Sequence, residues 1–76
     1  MPKRIYVGNL PPSATSSEVS TLFSRYGTVL SVSLNRGTAY VDMETGGANT
    51  AIRELNGTSL GGRPLNVNEV PYPSRS

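Results

Sequence analysis

Tyr40 carries the side chain best suited to ligand binding in residues 36–43, which read RGTAYVDM. Polar and apolar side chains alternate from position 38 to position 43, which is typical of a β-strand with one buried face. The tyrosine lies on the open side of that alternation, where its ring offers a flat surface for stacking. A single exposed tyrosine is common on strand propensity alone, so one ring does not define a site.

A second ring occupies the same kind of position earlier in the chain. Tyr6 lies in the segment RIYVGNL, where Ile5 and Val7 form the apolar side of the alternation. Two such rings on adjacent strands provide platforms on which successive nucleobases can stack, because every base has a π-face. The pair therefore predicts a surface for single-stranded nucleic acid, if the fold places the two strands side by side.

The composition excludes several kinds of chemistry. The chain has 76 residues, which corresponds to one domain, and it contains neither cysteine nor histidine. Disulfides, thiolate or imidazole metal ligands and Cys/His or Ser/His catalytic pairs are therefore excluded. No pocket or metal partner is implied for Asp42, Glu44 or Glu69. We predict no enzyme, no cofactor and no metal site.

Charge and hydropathy indicate the compartment and the kind of partner. The net charge is +2, and basic residues precede the first and third predicted strands, at Lys3, Arg4 and Arg36. This distribution gives a mild bias towards polyanions. The chain contains no apolar run near 18 residues and no apolar leader segment, so we expect an intracellular protein with no membrane contact. We also expect a monomer.

Two helices are predicted between the strands. Thr15 begins the sequence TSSE, a capping box in which Glu18 reaches back to the cap, and Gly27 is expected to end this helix in a left-handed conformation. Thr45 is expected to cap a second helix, whose apolar stripe runs to Leu55 and which ends near Gly57.

The remaining predicted strands establish the order of the elements along the chain. The segment VLSVSL predicts a second strand, NRG a hairpin loop, TSLGGRP a turn or small hairpin, and LNVNEV a fourth strand. The order strand-helix-strand, strand-helix-strand is the split βαβ, ferredoxin-like arrangement. The predicted fold is therefore α+β, with a four-stranded antiparallel sheet and two helices on one face. We predict a domain over residues 3–70 and a flexible tail over residues 71–76.

In this order, two segments resemble the motifs of the RNA-recognition motif family. IYVGNL, residues 5–10, fits the six-residue ribonucleoprotein motif of the first strand, and RGTAYVDM fits the eight-residue motif of the third. The segments GTVLSVSL, AIRELNG and GRPLNV also resemble family consensus segments. The resemblance covers roughly residues 3–70 and implies a non-catalytic module that binds single-stranded RNA on its open sheet face.

Two positions depart from the family pattern. Met43 replaces an aromatic residue on the core side, where a methionine can fill the same space. Thr38 lies on the open face, where the family usually places one of its stacking rings. We therefore expect two aromatic platforms instead of three.

The predicted RNA site combines stacking, phosphate and base-edge contacts. Tyr6 and Tyr40 are the platforms, Lys3 and Arg36 are assigned to phosphates, and asparagines of the fourth strand are assigned to base edges. The full set is Lys3, Tyr6, Asn9, Arg36, Thr38, Tyr40, Asn66, Asn68 and Tyr72.

An interaction module for protein partners on the same fold is the alternative, with the helical side, the loops or the tail as the contact surface and an idle sheet. The small net charge and the reduced aromatic set favour it. Peptide-binding relatives of the family, however, use an Arg-x-Phe element before the fourth strand and an acidic first helix. Here the equivalent element is RPL, and Glu18 is the acidic residue of the helix, so RNA is preferred. The closing SRS is compatible with the start of a Ser/Arg repeat, as in splicing-factor relatives of the family, but an ordinary polar tail is the preferred interpretation. For a protein of mRNA processing, the nucleus is favoured over the cytoplasm.

Overall fold

A computed structural model of the protein describes residues 2–70 and contains two helices and six strands. In chain order these are β1 (Pro2–Gly8), α1 (Ser16–Ser24), β2 (Val29–Asn35), β3 (Thr38–Glu44), α2 (Thr45–Leu55), β4 (Ser59–Leu60), β5 (Arg63–Pro64) and β6 (Asn66–Val70). The predicted tail at residues 71–76 lies outside the described residues, so the proposed domain limits stay a prediction.

The main sheet has four antiparallel strands in the order β2-β3-β1-β6, and α1 and α2 pack against one face of it. The α+β, split βαβ fold is confirmed. Within residues 2–70, the core consists of thirteen buried apolar side chains from the sheet, both helices and the adjoining loops, among them Ile5, Val7, Phe23, Val41 and Leu55. The alternation in the strands produces this arrangement, since every second side chain points towards the helices.

Helix α1 begins as predicted and ends earlier. Thr15 accepts a hydrogen bond from the backbone N–H of Glu18, whose carboxylate accepts one from the N–H of Thr15, which confirms the capping box. The helix ends at Ser24 with Arg25 as its C-cap, and Gly27 has no positive φ, so the predicted left-handed stop is wrong. Gly27 instead lies where α2 approaches, because a Cβ at this position would be 3.3 Å from the Cα of Gly47.

Helix α2 follows β3 without an intervening loop. Glu44 is its N-cap, in an extended conformation and without a side-chain cap bond, so the prediction that Thr45 caps the helix is wrong. The strand runs directly into the helix, which makes Thr45 its first residue. The predicted end is confirmed, since Asn56 is the C-cap and Gly57 adopts a φ of 86°.

A small hairpin separates α2 from the last strand. Ser59 pairs with Pro64 and Leu60 with Arg63, so of the two predicted alternatives for TSLGGRP, a turn or a small hairpin, the structure has the hairpin. Within residues 2–70, neither helix has the length and apolar character that crossing a membrane requires.

Candidate nucleic-acid interface

The two tyrosines form a direct cross-strand pair at the centre of the open face. Tyr6 of β1 lies opposite Tyr40 of β3, with ring centroids 5.8 Å apart and ring planes inclined by 59°. Tyr40 retains 39% of its exposure and Tyr6 is half-buried. Because β1 and β3 are the two central strands, the rings lie where an extended ligand crossing the sheet meets both of them.

The ring of Tyr6 lies over the neighbouring Gly8. A Cβ built on Gly8 would be 2.5 Å from the Tyr6 hydroxyl oxygen and 2.9 Å from two of its ring carbons. Side chains two positions apart on a strand point to the same face and normally lie side by side. Because Gly8 has no side chain, the Tyr6 ring occupies the space above it. Gly8 therefore allows Tyr6 to lie along the sheet and present a π-face to solvent.

Polar side chains flank the tyrosine pair on both sides. Asn68 of β6 lies opposite Tyr6, and Ser33 of β2 lies opposite Tyr40. In the next row, Thr38 and Asn66 lie on either side of Gly8. The predicted positions of these residues on the open face are therefore as expected, while their contacts with bases stay a prediction.

Lys3 does not lie with the other predicted residues. It shares the alternation of Ile5 and Val7, and its Nζ donates to Oδ1 of Asn49 in α2 at 3.1 Å and pairs with the Glu69 carboxylate at 3.4 Å. The ammonium group thus lies towards the helix and away from the open face, and the predicted contact of Lys3 with an RNA phosphate stays a prediction.

Asn9 has a structural contact. It adopts a φ of 63°, in the left-handed region that asparagine tolerates better than most residues. Its Nδ2 donates to the backbone oxygen of Pro64 at 2.8 Å, which connects the end of β1 to the β4-β5 hairpin. Its amide donor is therefore engaged within the domain, and a contact of Asn9 with RNA is not needed to explain this residue.

Arg36 is exposed in the β2-β3 hairpin, where its backbone N–H donates to Oδ1 of Asn35 at 2.9 Å. Arg36 lies at the end of the sheet where Asn35 pairs with Thr38, and its predicted contact with a phosphate stays a prediction. Tyr72 lies outside the described residues, and its predicted contact stays a prediction.

Sequence reasoning missed a polar cluster on the open face. Nε of Arg4 donates to Oδ1 of Asp42 at 3.0 Å, and Oγ of Ser31 donates to Oδ2 of the same carboxylate at 3.1 Å. The alternation of side chains along β1 could have indicated this cluster. Arg4 lies on the same face of the strand as Tyr6, whereas Lys3 lies on the face of the core residues. Among residues 2–70, no group of three or more acidic side chains that could hold a metal ion is found.

An open antiparallel sheet that carries an aromatic pair and is covered by two helices on its other face defines a class of nucleic-acid-binding domain. A match to the RNA recognition motif family covers residues 5–66. The chain therefore belongs to the RNA recognition motif family.

Relatives and solved structures agree with this assignment. The chain is 44% identical over 79 residues to the 33 kDa chloroplastic ribonucleoprotein of Nicotiana sylvestris, covering 90% of this chain and 24% of the relative. It is 37% identical over 82 residues to the U2 snRNP component IST3 of Saccharomyces cerevisiae, covering 95% of this chain and 55% of the relative. The crystal structure of RNA Binding Protein PG1 superimposes with a TM-score of 0.86 at 32% identity, covering 90% of this chain and 93% of that one. The chain thus spans about a quarter of the first relative and about half of the second.

Proposed function

We propose that the domain is a non-catalytic, monomeric module that binds single-stranded RNA across its open sheet face. The observation that carries the proposal is the Tyr6–Tyr40 pair, with centroids 5.8 Å apart on the two central strands. Stacking of a base on an aromatic side chain contributes about 1–3 kcal/mol and tolerates any base. Two platforms therefore supply most of the affinity, and Asn66 and Asn68 beside them offer amide groups to base edges.

A binding assay with matched RNAs tests this proposal. We expect a fluorescently labelled single strand of random sequence to bind, and its preformed duplex to bind much more weakly, because paired bases cannot stack on the tyrosines. Equal affinity for the duplex and the single strand, or no affinity for either, would contradict the proposal.

The cellular setting is a further part of the proposal. The IST3 relative is named as a U2 snRNP component, which supports a role in mRNA processing or splicing in the nucleus. The Nicotiana relative is named as chloroplastic, which supports RNA binding in another compartment. Imaging the tagged full-length protein decides between these settings, and exclusion from the nucleus would contradict the nuclear one.

The salt dependence of RNA binding should be shallow. Lys3 lies on the helical side and the Arg4 guanidinium is beside a carboxylate, so few cations on the open face can neutralise phosphates. Each phosphate neutralised on a single strand contributes about −0.7 to the slope of log K against log salt, which predicts a slope of about −1 to −3. Affinities measured at several salt concentrations give this slope. A slope steeper than about −5 would contradict the prediction and show that further basic residues contact the RNA phosphates.

Thr38→Phe should strengthen RNA binding. Thr38 is half-buried on the open face and lies opposite Gly8, over which the Tyr6 ring extends, so an added ring would extend the aromatic surface. One further stacked base is worth about 1–3 kcal/mol. Fluorescence titration measures the gain, with Thr21→Phe on the exposed side of α1 as the matched control that should leave affinity unchanged.

A further inference from the structure

A three-residue polar cluster lies on the open face beside the tyrosine pair. Arg4 of β1 and Ser31 of β2 flank Asp42 of β3 in the strand register, and all three side chains meet at the Asp42 carboxylate. Nη2 of Arg4 lies 3.4 Å from Oδ2, in addition to the 3.0 Å contact of Nε with Oδ1. The carboxylate thereby holds the guanidinium in one orientation with two contacts.

The exposure of this pair favours ligand recognition over a structural role. The side chain of Arg4 retains 45% of its exposure and that of Asp42 retains 21%. Because the guanidinium side of this pair is exposed, solvent screens part of its attraction to the carboxylate. A ligand on the sheet can reach the guanidinium, which has five N–H donors in a planar fork.

Charge and geometry distinguish base reading from phosphate binding. The Asp42 carboxylate offsets the positive charge of Arg4, which weakens its attraction for a phosphate. The same carboxylate fixes the plane of the guanidinium, which is what a directional contact with a base edge requires. Guanine presents two adjacent acceptors, O6 and N7, that match two parallel N–H groups of arginine, whereas adenine presents an amino donor in place of O6.

The location suits a nucleotide next to one that stacks on Tyr40. Asp42 and Tyr40 are two residues apart on β3 and on the same face, which corresponds to a separation of about 6.6 Å along the strand. We propose that Arg4, held by the Asp42 carboxylate to which Ser31 also donates, forms a guanine-reading subsite beside the tyrosine pair. This inference rests on the proposed binding of single-stranded RNA by the same face.

The test compares RNAs that differ at one base. Uridine-rich oligonucleotides of equal length carry guanine, adenine or 7-deazaguanine at a single position, which is moved along the strand. We expect guanine at one position to bind at least about fivefold more tightly than adenine or 7-deazaguanine, since each bidentate pair discriminates by about this much or more. Arg4→Lys keeps the charge and loses the planar fork, so it should abolish the preference while uridine-only RNA still binds.

Two further variants separate the guanine subsite from a phosphate contact. Asp42→Asn should reduce the guanine preference, because the guanidinium is no longer held. Arg53→Ala, on the exposed side of α2, removes one charge away from the sheet and should leave the preference unchanged. Circular dichroism confirms that each variant is folded before its affinities are compared.

The outcomes that overturn the subsite differ from those that overturn RNA binding. If the native domain binds every oligonucleotide equally, or if Arg4→Lys leaves the guanine preference intact, the guanine subsite is overturned and the RNA-binding function stands. The subsite is also overturned if Asp42→Asn tightens binding to all of the oligonucleotides and leaves the preference unchanged. If the native domain binds none of these oligonucleotides, the proposed function is overturned and the subsite with it.

Discussion

Tyr40→Val and Tyr6→Val should each lower the affinity for single-stranded RNA by about 1–3 kcal/mol, since each removes one stacking platform. The folded state should change little. A cross-strand aromatic pair contributes roughly 0.2–1 kcal/mol to stability, and valine retains a high strand propensity. Affinity is measured by fluorescence titration and stability by chemical unfolding of the same preparations.

Phenylalanine variants provide the matched control for this prediction. Tyr6→Phe and Tyr40→Phe keep the rings and remove only the hydroxyl groups, so they should retain nearly all of the affinity. A large loss with phenylalanine would show that the hydroxyl groups, and not the ring faces, contact the RNA. Unchanged affinity in both valine variants would show that RNA binds elsewhere on the domain.

Gly47→Ala should destabilise the domain strongly. A Cβ on Gly47 would overlap the backbone oxygen and carbon of Tyr26, and it would lie 3.0 Å from the Cα of Gly27. Backbone atoms cannot move aside as a side chain does, so the first turn of α2 must shift away from the 26–27 loop. We expect a loss of at least about 2 kcal/mol in the free energy of unfolding. Thermal unfolding should then show a fall in Tm of roughly 10 °C.

The adjacent glycine is the matched control. A Cβ on Gly46 would have no heavy atom within 4 Å, and the residue lies in the same helical turn. Replacing an unstrained helical glycine by alanine stabilises by roughly 0.5–1 kcal/mol, so Gly46→Ala should raise the Tm. Equal effects at the two positions would show that helix propensity, and not the close approach of α2 to Tyr26, determines the outcome.

The sequence predicts the fold because each element has a local signal. Alternation marks the strands, the Thr15 capping box marks α1, and Gly57 marks the end of α2. The prediction that Thr45 caps α2 is wrong because β3 continues to Glu44, so the helix begins at Thr45 itself. Gly27 is predicted from the sequence to end α1, although its close approach to Gly47 of α2 explains this residue better.

The sequence predicts which residues lie on the open face wherever the alternation of side chains along a strand determines their side. Tyr6, Tyr40 and Asn68 follow from alternation, whereas the assignment of Lys3 overlooked its parity with Ile5. Contacts that depend on the register between strands are not visible in the sequence. The pairing of Arg4 with Asp42 joins residues 38 positions apart, and it requires the alignment of β1 with β3.

A nuclear magnetic resonance titration of the domain with short degenerate RNAs tests most directly whether the open face binds RNA. We predict chemical-shift changes concentrated at Tyr6, Thr38, Tyr40 and β6, with the exposed surfaces of α1 and α2 unaffected. No response, or shifts confined to the helical side, would contradict the account and favour a protein partner for this domain.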